Sequence, residues 1–326
     1  MTTDRIIPDA IPVTILTGFL GAGKTTLLNR ILTEEHGKKY AVIINEFGEV
    51  GIDNDLVAHT DEEIFEMNNG CICCTVRGDL IRIIGSLLRR GKAFDGIIVE
   101  TTGLADPGPV VQSFFADDTL AKRTKLDAVV TLVDAMHFET SLTEGHEAAE
   151  QIAFADIIVL NKTDLADEAQ LAHLESRIHS MNPLAPIIRT QRSEVALDNI
   201  LGIGAFDLAR ITAMEPDFLK TGHHHTHNEA VGSVALKLEK PLDPQKFDAW
   251  IGDLSQTKGP DLLRYKGILN LKGMDRRFVL QGVHMIMDGQ PTQAWLPDED
   301  RTSRLVFIGK NLDEAALAQG FESCVA

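Results

Sequence analysis

Short apolar runs alternate with longer helical patterns through the first part of the chain. Strands are predicted at 12–17, 40–45, 96–101, 127–133, 156–160 and 186–189. Several of these runs are apolar at successive positions, the pattern of strands covered on both faces. Helices are predicted at 24–36, 78–90, 107–116, 145–153 and 167–181. Repeated strand–helix units imply a parallel sheet with helices on both sides. The pattern then breaks. Residues 221–229 read Thr-Gly-His-His-His-Thr-His-Asn-Glu, a polar tract with no core-forming period. Beyond it, 231–238 alternates like a half-buried strand. Phe247, Trp250, Ile251 and Leu254 have the spacing of an amphipathic helix. Runs at 264–272 and 277–287 flank Gly273-Met274-Asp275, a hairpin signal. A strand at 304–308 and a short helix at 313–319 close the chain. His284 falls inside an apolar run and reads as a core histidine. The predicted fold is α/β: a parallel-sheet domain over 1–215, a His-rich linker over 216–230, and a smaller α+β domain with an antiparallel sheet over 231–326.

Composition narrows the partners more than the fold. The 326 residues suit about two domains. Thirty-one basic residues face 48 acidic ones, a net charge of −17. Such a surface repels phosphodiester backbones and anionic lipid, so nucleic acid and membrane are excluded as main partners. No apolar run approaches the roughly 18 residues needed to span a bilayer. Asp4, Arg5 and Asp9 precede the first apolar stretch, which runs straight into a Gly-rich loop and so reads as a strand, not an export signal. A cytoplasmic location is expected, and a homo-oligomer is compatible with the sequence. Of four cysteines, Cys71, Cys73 and Cys74 lie within four residues. A disulfide framework would spread them, so the cluster points to metal or redox work in a reducing compartment.

The phosphate chemistry is carried by Gly18-Phe19-Leu20-Gly21-Ala22-Gly23-Lys24-Thr25, which matches GxxxxGK[ST] between a predicted strand and a predicted helix. Gly18, Gly21, Ala22 and Gly23 let backbone N–H groups converge on phosphate oxygens, and the helix N-terminus adds positive charge. Lys24 would reach the β- and γ-phosphates, Thr25 would supply a hydroxyl to Mg²⁺, and Thr26 extends the cradle. Asn161-Lys162-Thr163-Asp164 comes after a strand and matches NKxD. The Asp164 carboxylate can accept from both N1–H and the 2-amino group of guanine. Adenine lacks a donor at both positions, so the expected nucleotide is GTP. Thr190-Gln191-Arg192-Ser193 would form a second wall of the base pocket. Glu100-Thr101-Thr102-Gly103 ends another strand: Glu100 can organise Mg²⁺ or its waters, and the Gly103 N–H can sense a γ-phosphate. Glu46 to Asp53 is the candidate first switch, with Glu49 or Asp53 facing metal or nucleotide. No Gln in these segments is clearly placed to orient an attacking water, so unassisted hydrolysis is expected to be slow.

Between the two candidate switches lies Gly70-Cys71-Ile72-Cys73-Cys74. Three thiolates can converge on one soft or borderline ion such as Zn²⁺ or Cu⁺. A fourth ligand must come from elsewhere, from a client or from water. That incompleteness suits a site that releases its metal. His223 and His225, with their neighbours, form a second candidate metal-collecting site; a solvated linker is the competing reading.

Together these motifs resemble the CobW-like family of P-loop GTPase metallochaperones, and within it the zinc-regulated GTPase metal chaperones. The resemblance rests on 17–29 (TGFLGAGKTTLLN), 45–53 (NEFGEVGID), 69–74 (NGCICC), 100–109 (ETTGLADPGP) and 161–164 (NKTD), and extends to 264–269 (RYKGIL) and 281–284 (QGVH). It implies a GTPase that uses GTP and Mg²⁺, binds Zn²⁺ at CxCC and passes it to a client metalloenzyme. It also implies a C-terminal domain shared across the family. Some eukaryotic relatives carry a Cys-Pro-x-Leu-Val-Pro-type docking segment, whereas residues 1–12 here hold no Cys. The alternatives are service to cobalt or nickel enzymes, a metal-sensing GTPase without transfer, and an ATP-using kinase-like enzyme, which NKTD disfavours.

Overall fold

Tyr40–Ile44, Gly96–Glu100 and Ile157–Asn161 are buried at every position. Burial without alternation requires cover on both faces, and each of these segments is an inner strand of a parallel sheet. The computed structural model describes residues 10–44, 63–66, 75–89, 94–206, 231–297 and 299–326. They form two compact units. One comprises Met1–Gln151, Ala155–Leu171 and Ile187–Gly204; the other comprises Ile152–Phe154, Ala172–Pro186 and Ala205–Ala326. The predicted linker, 216–230, lies outside the described residues.

In the first unit the strands are β1 (Ile11–Gly18), β2 (Tyr40–Ile44), β3 (Glu63–Glu66), β4 (Gly96–Glu100), β5 (Thr124–Asp134), β6 (Ile157–Asn161) and β7 (Ile187–Arg189). Their order is β3-β2-β4-β1-β5-β6-β7, and every pairing is parallel. Helices α1 (Lys24–Thr33), α2 (Thr75–Arg89), α3 (Gly108–Ala116), α4 (Asp118–Arg123), α5 (Phe138–Glu144), α6 (Glu147–Phe154) and α7 (Glu168–Met181) occur between them along the chain, Ile152–Phe154 of α6 and the part of α7 from Ala172 onward being counted with the second unit. From β1 the chain steps outward to β2 and β3, returns to β4 beside β1, then crosses to β5 on the other side. The connections therefore diverge at the carboxyl end of β1, the place where open parallel sheets receive ligands. Every predicted strand and helix of this unit is present, some with ends shifted by a few residues. Three elements were not predicted: β3, α4 and α5.

The second unit carries an antiparallel sheet of order β11-β10-β9-β12-β8, built from β8 (Gly232–Leu238), β9 (Leu262–Leu269), β10 (Arg276–Val283), β11 (Ile286–Ala294) and β12 (Ser303–Gly309). Helices α8 (Pro244–Lys258) and α9 (Glu314–Ser323) supply Phe247, Ile251, Leu317 and Phe321 to a core shared with Leu262, Tyr265, Leu305 and Phe307. Each such side chain contributes roughly 1.5–3 kcal/mol on burial. Asp243 caps α8 by accepting from Gln245 N (2.9 Å) and Lys246 N (3.1 Å), with Pro244 opening the helix.

The predicted run 277–287 is corrected. It is not one strand: the chain turns at His284 and Met285 and returns as β11. His284 has φ +50°, which places it in the turn and not in a strand. Its Nδ1 lies 3.2 Å from the Gly259 carbonyl and its ring is half-buried. The outer strand β11 is exposed from Met287 to Pro291, contains that proline, and pairs with β10 through a register shift between Arg276 and Phe278.

Candidate functional site: a nucleotide pocket at the carboxyl ends of β1, β4 and β6

β1 ends at Gly18, whose φ of +140° is unfavourable for residues with a side chain. A Cβ there would lie 2.3 Å from the Leu132 carbonyl oxygen of β5. Only glycine lets the loop leave the sheet this close to its neighbour. Gly23, at φ +111°, is the N-cap of α1 and makes no side-chain cap, so the first-turn N–H groups remain available to an anion. Lys24 is buried. Its Nζ donates to the carbonyls of Gly18 (2.6 Å) and Phe19 (3.1 Å), which holds the ammonium over the loop. Burial pushes its pKa below the ordinary lysine value, against the pull of the Glu100 carboxylate. Thr25 and Thr26 are exposed at the start of α1, Gly21 has φ +73°, and Ala22 is buried within the loop.

Glu100 ends β4 in register with Leu16 and is 7% exposed. Thr101 donates from its N–H to Leu16 O (2.9 Å) and from its hydroxyl to Thr17 Oγ1 (2.8 Å), tying the end of β4 to β1. The chain then turns, and Ala105 N–H closes the turn by donating to Thr102 O (3.1 Å). A Cβ on Gly103 would fall 2.6–2.8 Å from Cδ2, N and Cγ of Leu20. The turn therefore packs directly on the phosphate loop.

The third wall is formed by the end of β6, the 161–165 turn and the 190–195 loop. Asn161, 2% exposed, donates from Nδ2 to Ala22 O (2.9 Å) and Ser193 Oγ (3.1 Å). Its Oδ1 accepts from Ser193 N (2.8 Å) and Thr190 Oγ1 (3.2 Å). Ser193 Oγ donates in turn to Gly23 O (3.1 Å). One side chain thus fastens the end of β6, the 190–195 loop and the phosphate loop together. Arg192 (φ +50°) and Ser193 (φ +57°) are successive left-handed residues without being glycine. Arg30 of α1 holds this bend by donating to the carbonyls of Ser193 and Val195. Lys162 (φ +60°) turns back so that Nζ donates to Asp134 Oδ2 at 2.7 Å. Asp134, at the end of β5, also faces His137 Nδ1 (2.9 Å) and accepts from Met136 N (2.9 Å). Burial alone would raise its pKa, but the bonds from Lys162, His137 and Met136 hold it below the ordinary 3.8. Asp164 is the middle residue of a 3₁₀ turn over Thr163–Leu165 and is exposed, with a carboxylate open to a ligand.

The structure brings together Gly18, Gly21, Ala22, Gly23, Lys24, Thr25, Thr26, Glu100, Gly103, Asn161, Lys162 and Asp164 at one end of the sheet. Glu49, Asp53, Cys71, Cys73, Cys74, His223 and His225 lie outside the described residues. Among the described residues no group of three His, Cys, Asp or Glu is arranged to hold a metal. Sequence reasoning passed over Asp134 and Gln151. An acidic residue ending an apolar strand could have flagged the first; nothing in the pattern of α6 singled out the second.

A glycine-rich phosphate loop, its buried lysine and an NKxD turn at the switch point of a parallel sheet define a P-loop GTPase. The chain belongs to the CobW/HypB/UreG family: residues 12–189 match its nucleotide-binding domain and residues 231–325 match the cobalamin synthesis protein CobW C-terminal domain. Zinc chaperone YjiA of Escherichia coli (strain K12) is 36% identical over 316 residues, 95% of this chain and 98% of its own. Zinc chaperone CobW of a Sinorhizobium species is 35% identical, with 100% of both chains covered. The crystal structure of Zn(II)-bound YjiA GTPase from E. coli superposes with a TM-score of 0.82 at 33% identity, over 98% of this chain and 100% of that one. Among the described residues no helix is long and apolar enough to cross a membrane.

Proposed function

We propose that this GTPase is a zinc metallochaperone: it takes up Zn²⁺ at Cys71, Cys73 and Cys74 and delivers it to a client metalloenzyme in the cytoplasm, with uptake and release governed by GTP hydrolysis. The observation that carries the reading is the position of the thiol run in the chain. Along the sequence it occupies the stretch between β3, a strand of the nucleotide-binding sheet, and α2, and it falls between 46–53 and 100–103, the two candidate switch segments. The names of the relatives, zinc chaperones, point the same way.

In this reading the N–H groups of the phosphate loop and Lys24 hold the β- and γ-phosphates, and Asp164 accepts from the guanine edge. Gly103 N–H meets the γ-phosphate. The exposed hydroxyl of Thr25 and the carboxylate of Glu100 are hard oxygen donors of the kind Mg²⁺ takes. The ion would neutralise charge developing on the transferred phosphoryl group. Loss of that group removes the contact to Gly103, and the segments bracketing the thiols relax. Zinc affinity then differs between the GTP and GDP states, and the coupling is reciprocal.

Zinc titrations in the presence of GDP and of a non-hydrolysable GTP analogue test the proposal. The affinities should differ by roughly 5- to 150-fold, and the triple Cys71→Ser, Cys73→Ser, Cys74→Ser variant should lose both the binding and the difference. Equal zinc affinity in the two nucleotide states, or undiminished binding by the serine variant, overturns it.

A further inference from the structure

Gln151 lies in α6, outside every segment assigned to nucleotide, and is 1% exposed. A buried amide must find partners for its two donor hydrogens. Here Nε2 donates to the carbonyl of Gly103 and to the carbonyl of Ala105, each at 3.1 Å. The backbone of Gln151 is itself anchored, because Thr131 Oγ1 of β5 donates to its carbonyl at 2.9 Å. The turn it grips is the one packed on Leu20 of the phosphate loop. Both peptide planes flanking Gly103 are consequently held. The plane before it is held through Thr102 O, which accepts from Ala105 N at 3.1 Å; the plane after it is held through Gln151. The Gly103 N–H lies in the first of those planes, and Gln151 bears on it by holding Ala105, whose own N–H fixes Thr102 O; among the described residues the Gly103 N–H donates to no acceptor.

We propose that Gln151 is a positioning residue for nucleotide-state recognition: it sets the Gly103 turn in the orientation that receives a γ-phosphate. This rests on the assignment of Gly103 to the γ-phosphate. A donor aimed before the ligand arrives needs no reordering on binding, so the benefit falls on the triphosphate and not on the diphosphate. Gln151 touches neither nucleotide.

The test uses the full-length protein with Gln151→Met, which keeps length and removes both donors. Affinities for GDP and for a non-hydrolysable GTP analogue, kcat and KM for GTP, and the thermal midpoint of the GDP form are measured. The GDP affinity should stay within about twofold, while the analogue binds about tenfold more weakly and kcat falls about tenfold, as expected for two lost neutral hydrogen bonds. Equal weakening of GDP and analogue would show a merely structural role and overturn the inference, as would unchanged values for both. Should the methionine variant fail to fold, Gln151→Asn keeps both hydrogens one methylene short. A loss confined to the analogue supports the proposal, and a uniform or absent loss overturns it. If the unmodified protein does not distinguish the analogue from GDP, the assignment of Gly103 fails. If it does and the variants distinguish them equally well, the positioning role alone fails.

Discussion

Replacing Asn161 with alanine removes the tie between the 161–165 turn, the 190–195 loop and the phosphate loop, and its cost can be worked from the bonds present. The change strands two buried main-chain groups, the Ala22 carbonyl and the Ser193 N–H, which Asn161 serves at 2.9 and 2.8 Å, while the Thr190 and Ser193 hydroxyls that also meet it can rotate to other partners. A buried group left without a partner costs about 1–3 kcal/mol. Two such groups make about 4 kcal/mol, since the site is too closed for water to substitute freely: Ser193 is fully buried. For a unit of this size each kcal/mol lowers the midpoint by about 2–4 °C, so the first unit's transition should fall by roughly 10 °C in calorimetry. The same change loosens Gly23, which packs so closely on Asn161 that a Cβ there would lie 2.4 Å from Nδ2. Titration with a fluorescent GDP should therefore show at least about tenfold weaker binding, even though Asn161 donates to protein groups at both ends. A midpoint within about 2 °C of the unmodified protein, with undiminished GDP affinity, would refute the reasoning.

Asp164→Asn should weaken GTP binding roughly 100-fold by removing two charge-assisted hydrogen bonds. It should also improve binding of xanthosine triphosphate, whose 2-oxo group can accept from the new amide; competition titration decides, and retained guanine preference would count against Asp164 as the base reader. Asp134 supplies the pH prediction. Its folded pKa lies below the ordinary 3.8, so near that value the unfolded chain binds more protons. The stabilisation is complete above 3.8 and is lost as pH falls through the lower folded value. Urea midpoints measured through this acid range should decline less steeply for Asp134→Asn than for the unmodified protein, and identical slopes would exclude the effect.

Much of the first unit was legible because its strands are covered on both faces and therefore read as unbroken apolar runs. β3 escaped notice for the opposite reason: Glu63-Ile-Phe-Glu66 is short and half acidic, and only the neighbouring β2 makes it a strand. The β10–β11 hairpin was read as one run because its turn uses His284 and Met285, with neither glycine nor proline to mark it. At the site, the phosphate loop and NKTD were visible because their chemistry lies in side chains at fixed spacing. The role of Asn161 as a fastener was not, since what it grips includes a main-chain carbonyl, and such a partner leaves no trace in residue identity. Gln151 was hidden in the same way. Its two acceptors are backbone oxygens nearly fifty positions away in the chain.

The outer margin of the second sheet bears on how this protein keeps company with its own copies. Pro291 has no N–H to offer along β11, and the irregular pairing of β10 with β11 near Arg276 departs from the flat, regular ribbon that an incoming strand would match best. A stray chain meeting that border finds a ladder with missing rungs. The β10–β11 hairpin, exposed along β11, is thus a poor template for intermolecular β-stacking.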